Sequence, residues 1–306
     1  MSKVVVLGVF VADTAYRAAR APRMGETIMG ESFALGPGGK GSNQAVAAAR
    51  AGVETHFITR LGRDTFAEMA LQTWKEAGVT AAVTQHSDSY TGAAYIFIEA
   101  GTGNNAIIVC PGVAGQISPA DMDARSDLIS GASVFVTQLE QPMDAAQRAL
   151  EIARANGVQT ILNPAPAAEL PEGMLALCDY VTPNETEAEA LTGLAVTTLE
   201  EAALAARKLV AMGAKAAVIT LGEKGALYHA GDQNVHVPAF NAGPVMETTG
   251  AGDAFNGGFA AALARGDDPI SAVRFGCATA AISVTRAGTA PAMPSHAEIL
   301  ALLARG

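Results

Sequence analysis

"TTGAGDAFNGGFAAALARG" (Thr248–Gly266) begins with glycines two apart and ends as an alanine-rich run. A glycine turn that feeds a helix points backbone N–H groups outward, and such groups favour anions. Asp253 stands at that mouth. An acid in the first turn of a helix complements the helix dipole, and that alone would account for it. A fixed carboxylate beside a phosphate cradle also has a chemical use. It can take the proton of a hydroxyl that attacks the phosphate. The rest of the chain has to choose between these readings.

Outside this stretch, short β-branched runs alternate with alanine-rich segments. The runs predict strands over 4–8, 55–59, 133–139, 158–163, 179–182 and 216–222. The segments between them predict helices over 42–51, 64–77, 144–156, 185–192 and 199–212. Thr197…Glu200 and Ser295…Glu298 have capping-box spacing. Apolar strands alternating with helices imply an α/β fold, with a central, mostly parallel sheet flanked by helices. Two regions break the rhythm. Residues 13–39 are turn-rich, and 91–110 read as a hairpin around "GTGNN". Together they suggest a small β-sheet lid on a single domain spanning 1–306.

Composition narrows the classes of function. The chain has 306 residues, half of them hydrophobic and only 16% charged, which describes a globular protein. Its net charge is −10, and no basic block interleaves with aromatics, so it does not read as a nucleic-acid binder. Cys110, Cys178 and Cys277 form no zinc spacing, and their odd, sparse count fits a reducing compartment such as the cytoplasm. The run "VVVLGVFVA" after Lys3 lacks a cleavage site and reads as a buried first strand rather than a signal peptide. No apolar stretch reaches the roughly 18 residues needed to span a bilayer.

A second glycine cluster lies at "GPGGKGSNQAVAAAR" (36–50). It fails as a nucleotide loop of the Walker type, because Ala34 stands at the first glycine position and Gly41 follows Lys40. It also lies outside the first strand–helix turn, where a dinucleotide fingerprint belongs. A lysine among glycines next to Asn43 suits close approach to a small polar ligand. In "VTQLEQP" (136–142), Glu140 follows a predicted central strand. Ligands of open α/β sheets bind at the carboxyl ends of such strands. In "TPNETEAE" (182–189), Asn184 and Glu187 are spaced to share one helix face. "ITLGEKGA" (219–226) is a strand ending in a glycine turn. No GxSxG elbow is present, so hydrolysis has no support.

"GGKGSNQA", "NPAPA" (163–167), "TPNETEAE" and "TTGAGDAFNGG", in this order, resemble the signatures of the PfkB-type carbohydrate kinases, in their ribokinase-like branch. The resemblance runs nearly end to end, from "VVLG" to "VTRAGTAPAMP" (284–294). It implies a ribokinase-like fold whose β lid makes a homodimer contact. It implies that Asp253 is the general base and that Gly250, Ala251 and Gly252 form the anion hole. Sugar contacts fall on Asp13, Gly39, Lys40, Gly41, Asn43 and Glu140. ATP contacts fall on Asn184, Thr220, Gly222, Gly225 and Cys277, and Glu187 would hold Mg²⁺ through water. A K⁺ site would use Glu247, Thr249, Ser283, Arg286 and Gly288.

The chain also departs from that pattern. Glu247 replaces an Asp, and Ala292 replaces a Ser, at the cation site. Val11 replaces the Asn of an Asn-x-Asp sugar motif. The expectation is ATP-dependent phosphorylation of a primary hydroxyl of a pentose, either ribose or a related deoxypentose. The alternatives are a nucleoside kinase and a non-catalytic sugar-binding regulator, and the intact "GAGD" speaks against the second. The expected partners are the sugar and ATP, without nucleic acid or membrane.

Overall fold

A computed structural model describes residues 2–305. The chain begins with β1 (Lys3–Leu7), then crosses to β2 (Val11–Ala18) and β3 (Ser32–Gly38). Helix α1 (Lys40–Arg50), β4 (Glu54–Leu61), α2 (Thr65–Ala77) and β5 (Val79–Gln85) follow, and then the hairpin β6 (Thr91–Glu99) and β7 (Asn105–Gly112). Two short helices, α3 (Pro119–Asp123) and α4 (Ser126–Ser130), lead to β8 (Val134–Thr137), α5 (Met143–Ala155), β9 (Gln159–Leu162) and β10 (Tyr180–Val181). Helices α6 (Glu185–Thr192) and α7 (Leu199–Ala211) precede β11 (Ala216–Thr220), β12 (Ala226–Ala230) and β13 (Gln233–Val237). The chain closes with α8 (Ala251–Arg265), α9 (Pro269–Ser283) and α10 (His296–Leu303).

The large sheet has nine strands in the order β13-β12-β11-β10-β9-β8-β1-β4-β5. Neighbours from β11 to β5 pair in parallel, whereas β12 pairs antiparallel with both β11 and β13. Burial on both faces explains the continuous apolar runs. Val4 and Val6 of β1 and Val134 and Val136 of β8 face the core shared with α1, α2, α8 and α9. Val5, Leu7 and Phe135 face the opposite core, shared with α5 and α7. This period of two divides each strand between two helical layers. Strand order reverses beside β1, and that switch point opens a crevice at the carboxyl ends of β1 and β8.

A second, four-stranded sheet has the order β3-β2-β6-β7, with β2 and β6 parallel. Its strands include most of the two irregular regions seen in the sequence. One of its faces shows Phe33, Leu35, Tyr16, Tyr95 and Ile108 exposed, and the rings of Tyr16 and Phe33 lie 5.0 Å apart. Asp13 alternates to the other face.

Several of the parallel strands end earlier than the sequence predicts, whereas β4 runs from Glu54 to Leu61 rather than 55–59. β8 stops at Thr137 rather than 139, β9 at Leu162 rather than 163, β10 at Val181 rather than 182 and β11 at Thr220 rather than 222. Just past three of these ends, the side chains of Gln138, Asn163 and Thr182 make hydrogen bonds outside the sheet, while the Asn163 and Thr182 N–H groups still donate to Thr137 and Leu162 of the neighbouring strands. The first capping box shifts by one residue, to Thr198 and Glu201, whereas Ser295 and Glu298 form theirs as expected. Helix α9 escaped the sequence reading because much of it is buried, and so it shows little polar periodicity.

Candidate active site

Two helices open at the crevice on left-handed glycines. Gly39 (φ 88°) precedes α1, and Gly250 (φ 81°) precedes α8. Only glycine adopts this region cheaply, and it lets the chain turn sharply into each helix. Neither helix has a side-chain cap from its own N-cap residue. The Lys40 N–H instead donates to Glu140 Oε2, 2.8 Å away, from the loop after β8. Gly250, Ala251 and Gly252 lead into α8, and the Ala251 N–H donates to the Thr248 carbonyl at 3.1 Å.

Asp253 lies where these helices meet, and it is buried. Asn43 Nδ2 donates to its Oδ2, and Gln44 Nε2 donates to its Oδ1, each at 3.0 Å. Burial pushes the carboxyl up. The Lys40 charge and these two amides offset this only in part, and the carboxyl stays above its ordinary value. Two helix N-termini add positive potential. A sequence reading that stops at the dipole therefore misses most of what surrounds this acid.

Three further carboxylates face the same space. Burial, and then the charge of Asp253, push Asp13 up to about 6. Burial pushes Glu140 up to about 7, against Lys40 and with help from Asp253 and Asp13. Glu187 is also raised, by burial first and partly by Asp253. A side chain at Gly38 would overlap the Asp13 carboxylate, and Gly41 packs against Gly8 at the end of β1. Asn43 Oδ1 is buried and has no hydrogen-bond partner among the described residues. Val11 opens β2, two residues before Asp13, and is 5% exposed.

The ATP candidates divide into two groups. Asn184 and Thr220 are bridge partners at neighbouring strand ends, and Gly222 and Gly225 bracket the turn that follows. Asn184 caps α6 rather than sharing a face with Glu187 inside it. Its Oδ1 accepts from the Glu187 N–H, and Glu187 Oε2 accepts from the Asn184 N–H. The spacing that looked like a common face is a capping box, because Asn184 precedes the first helical residue. Cys277 is buried on α9, its thiol pushed up to about 12 by burial, and among the described residues no hydrogen bond joins it to that turn.

At the cation candidates, Glu247 Oε2 accepts from the Gly288 N–H at 2.8 Å. Ser283 Oγ donates to Ala280, the Ser283 carbonyl accepts from the Arg286 N–H, and the Arg286 side chain pairs with Glu298. Thr249 is exposed, and Ala292 is buried.

Gln44 is the contact that sequence reasoning did not assign. The signal was present, since Gln44 follows Asn43 inside the quoted glycine motif. Nothing in a sequence shows that a helix turns both residues onto an acid more than 200 positions away.

Comparison with known proteins agrees with this architecture. Residues 1–296 match the pfkB family carbohydrate kinases. The chain is 38% identical over 294 residues to a deoxyribokinase of Salmonella typhi, with 95% of each chain covered. It is 37% identical over 302 residues to a ribokinase of Staphylococcus aureus, covering 97% of this chain and 98% of the relative. The ribokinase of Arabidopsis thaliana, solved with ribose and ATP, superposes with a TM-score of 0.94 at 30% identity, covering 98% of both chains. With a family match over residues 1–296 and similarity that runs nearly end to end, this chain belongs to the pfkB family of carbohydrate kinases, in its ribokinase-like branch.

Proposed function

We propose that the chain transfers the γ-phosphoryl group of ATP to a primary hydroxyl of a pentose, with Asp253 as the general base. One observation carries this reading. Asp253 is fixed by two amides between two helix N-termini, beside the glycine turn that opens α8. The hydroxyl oxygen bonds to the γ-phosphorus as the bond to the ADP oxygen breaks, and the hydroxyl proton passes to Asp253. The N–H groups of Gly250, Ala251 and Gly252 stabilise charge on the transferring group. Asp13, Asn43 and Glu140, with the Gly39-Lys40-Gly41 backbone, orient the sugar. Asn184, Thr220 and the Gly222–Gly225 turn receive the nucleotide, and Cys277 belongs to the adenine end.

Glu187 keeps one carboxylate oxygen outside its capping box and faces Lys40 and Asp253, so it suits water-mediated contact with a Mg²⁺ ion. When bound, that ion neutralises phosphate charge. The whole chain acts as one kinase unit, with the four-stranded sheet as its lid. Its exposed aromatic face, which holds Tyr16, Phe33 and Tyr95, suits pairing with a second copy. Ile108→Glu on that face is expected to shift a dimer toward monomer in sedimentation, and an unchanged mass would reject the lid contact.

An ADP-release assay with ribose, 2-deoxyribose and nucleosides tests the activity. ADP release is expected with the free pentoses. Release with nucleosides alone would favour the nucleoside kinase, and release with none would remove the reading.

Acidity offers a second check. Asp13 and Glu140 accept sugar hydroxyls fully only when ionised, so the sugar KM is expected to rise as pH falls through about 7 and then about 6. A KM that stays flat over that range would remove both acids from sugar binding. The sign for stability is the reverse. Glu140 holds its proton to about 7 in the folded protein, against 4.5 ordinarily, so its contribution is complete below 4.5 and is lost as pH rises through 7. Glu140→Gln is therefore expected to raise Tm at pH 8 while weakening sugar binding. A lowered Tm would contradict this.

The cation site follows from its two departures. The Glu247 carboxylate is engaged by the Gly288 N–H, and Ala292 offers no side-chain oxygen. Little K⁺-specific activation is expected when rates in K⁺, Na⁺ and a large organic cation are compared. Strong K⁺ activation would show that the loop carbonyls suffice.

A further inference from the structure

The hydrogen bonds around Asp253 do not stop at Gln44. Gln44 Nε2 also donates to Asn163 Oδ1 at 3.0 Å, and Asn163 Nδ2 donates to the Thr182 carbonyl at 3.0 Å. Thr182 Oγ1 donates to Asn256 Oδ1 at 2.6 Å, and Asn256 Nδ2 donates to the Gly252 carbonyl at 2.9 Å. Gly252 is covalently joined to Asp253, so the chain of bonds closes on itself. It ties the ends of β9 and β10 to α1 and to the turn that opens α8. The side chains of the ring are all buried, whereas Gly252 is exposed.

The direction of each amide in this ring is fixed by its neighbours. Asn163 spends its N–H on a carbonyl, so its Oδ1 must accept. Gln44 therefore faces two acceptors, Asn163 Oδ1 and Asp253 Oδ1, with its amino end. Its own Oε1 needs a donor and finds Gln138 Nε2 at 2.6 Å. Turning Gln138 that way leaves Gln138 Oε1 buried and, among the described residues, without a partner, close to Gly8 and Gly41. A buried acceptor without a donor is costly. The structure accepts that cost, and what it obtains is the orientation of Gln44.

We infer that Gln44, oriented by Gln138, is a positioning residue that presents Asp253 as an ionised acceptor and locks it to the glycine turn. The inference rests on the proposed role of Asp253 as base. All the groups in the relay are neutral, so it orients the carboxylate without adding a charge to a space that already holds Lys40, Asp13, Glu140 and Glu187. Its N–H favours the charged form of Asp253 over the protonated one. A general base must be unprotonated before the hydroxyl attacks.

The test compares Gln44→Met, Gln138→Met and Gln138→Glu with Asp253→Asn, with the sugar saturating so that Asp13 and Glu140 are occupied. Gln44→Met keeps length and removes the donor. It is expected to lower kcat by about tenfold to a hundredfold, with little change in either KM, and to move the acid limb of kcat to higher pH. Gln138→Met is expected to act in the same direction but less strongly. Gln138→Glu discriminates best, because its side chain donates to Gln44 only when protonated. It is expected to retain kcat at low pH and lose it at high pH, through a limb absent from the wild type.

Unchanged kcat in a folded Gln44→Met, or a loss without movement of the limb, would overturn the inference. Should Gln44→Met not fold, unchanged kcat in Gln138→Met and no new limb in Gln138→Glu would do so. Near-native kcat in Asp253→Asn would instead remove the base itself. A collapse there beside an unaffected Gln44→Met would sink this inference alone.

Discussion

Asp253→Asn is expected to lower kcat by about a hundredfold to ten-thousandfold, while sugar and ATP still bind. The substitution keeps the shape of the side chain and removes its ability to take a proton. ATP affinity is expected to hold or improve, since a negative charge facing the phosphates is gone. Residual turnover is expected as well. Most of the rate in phosphoryl transfer comes from positioning and charge stabilisation, which the helix termini still supply. Single-turnover rates and calorimetric titrations of sugar and nucleotide measure the two halves separately. Near-native kcat would exclude Asp253 as the base. Lost binding with normal turnover at saturation would assign it to ligand contact.

The second large effect concerns substrate choice at Val11. This side chain has no donor or acceptor and lies two residues before Asp13 on the same face of β2. A sugar hydroxyl held against it in a closed crevice loses water and gains nothing, at about 1–3 kcal/mol. A 2-deoxypentose avoids that cost and gains apolar contact. The expected result is a higher kcat/KM for 2-deoxyribose than for ribose, by about fivefold to a hundredfold. Val11→Asn is expected to shift the ratio back toward ribose. Similarity to both a deoxyribokinase and ribokinases makes either outcome chemically accessible. A wild type that strongly prefers ribose, or an unchanged ratio in Val11→Asn, would clear Val11 of any role in specificity.

By itself the sequence determined the layered architecture. Alternation of β-branched runs with alanine-rich segments is dictated by strands buried on both faces. It was legible at Val4–Leu7 and Ala216–Thr220 because no polar face interrupts them. It also determined the two glycine turns, since a left-handed residue before a helix leaves a local signature at Gly39 and Gly250. Asp253, Asn43 and Glu140 could be nominated from their motifs one at a time.

Only the tertiary structure decided how they meet. Gln44, Gln138, Asn163, Thr182 and Asn256 each lie inside a motif quoted from the sequence, yet nothing local marks them as parts of one ring. Apart from the Asn256–Gly252 contact, their partners are 19 to 209 positions away. The parallel sheet sets those distances, because it brings the carboxyl ends of strands far apart in the chain to one edge. Strands β8 to β11 end earlier than their apolar pattern predicts. Just past β8, β9 and β10 the side chains of Gln138, Asn163 and Thr182 bond to groups outside the sheet, although the Asn163 and Thr182 N–H groups still pair with the neighbouring strands. The raised pKa values of Asp13 and Glu140 were likewise invisible, since they come from burial and from charges that the fold alone assembles.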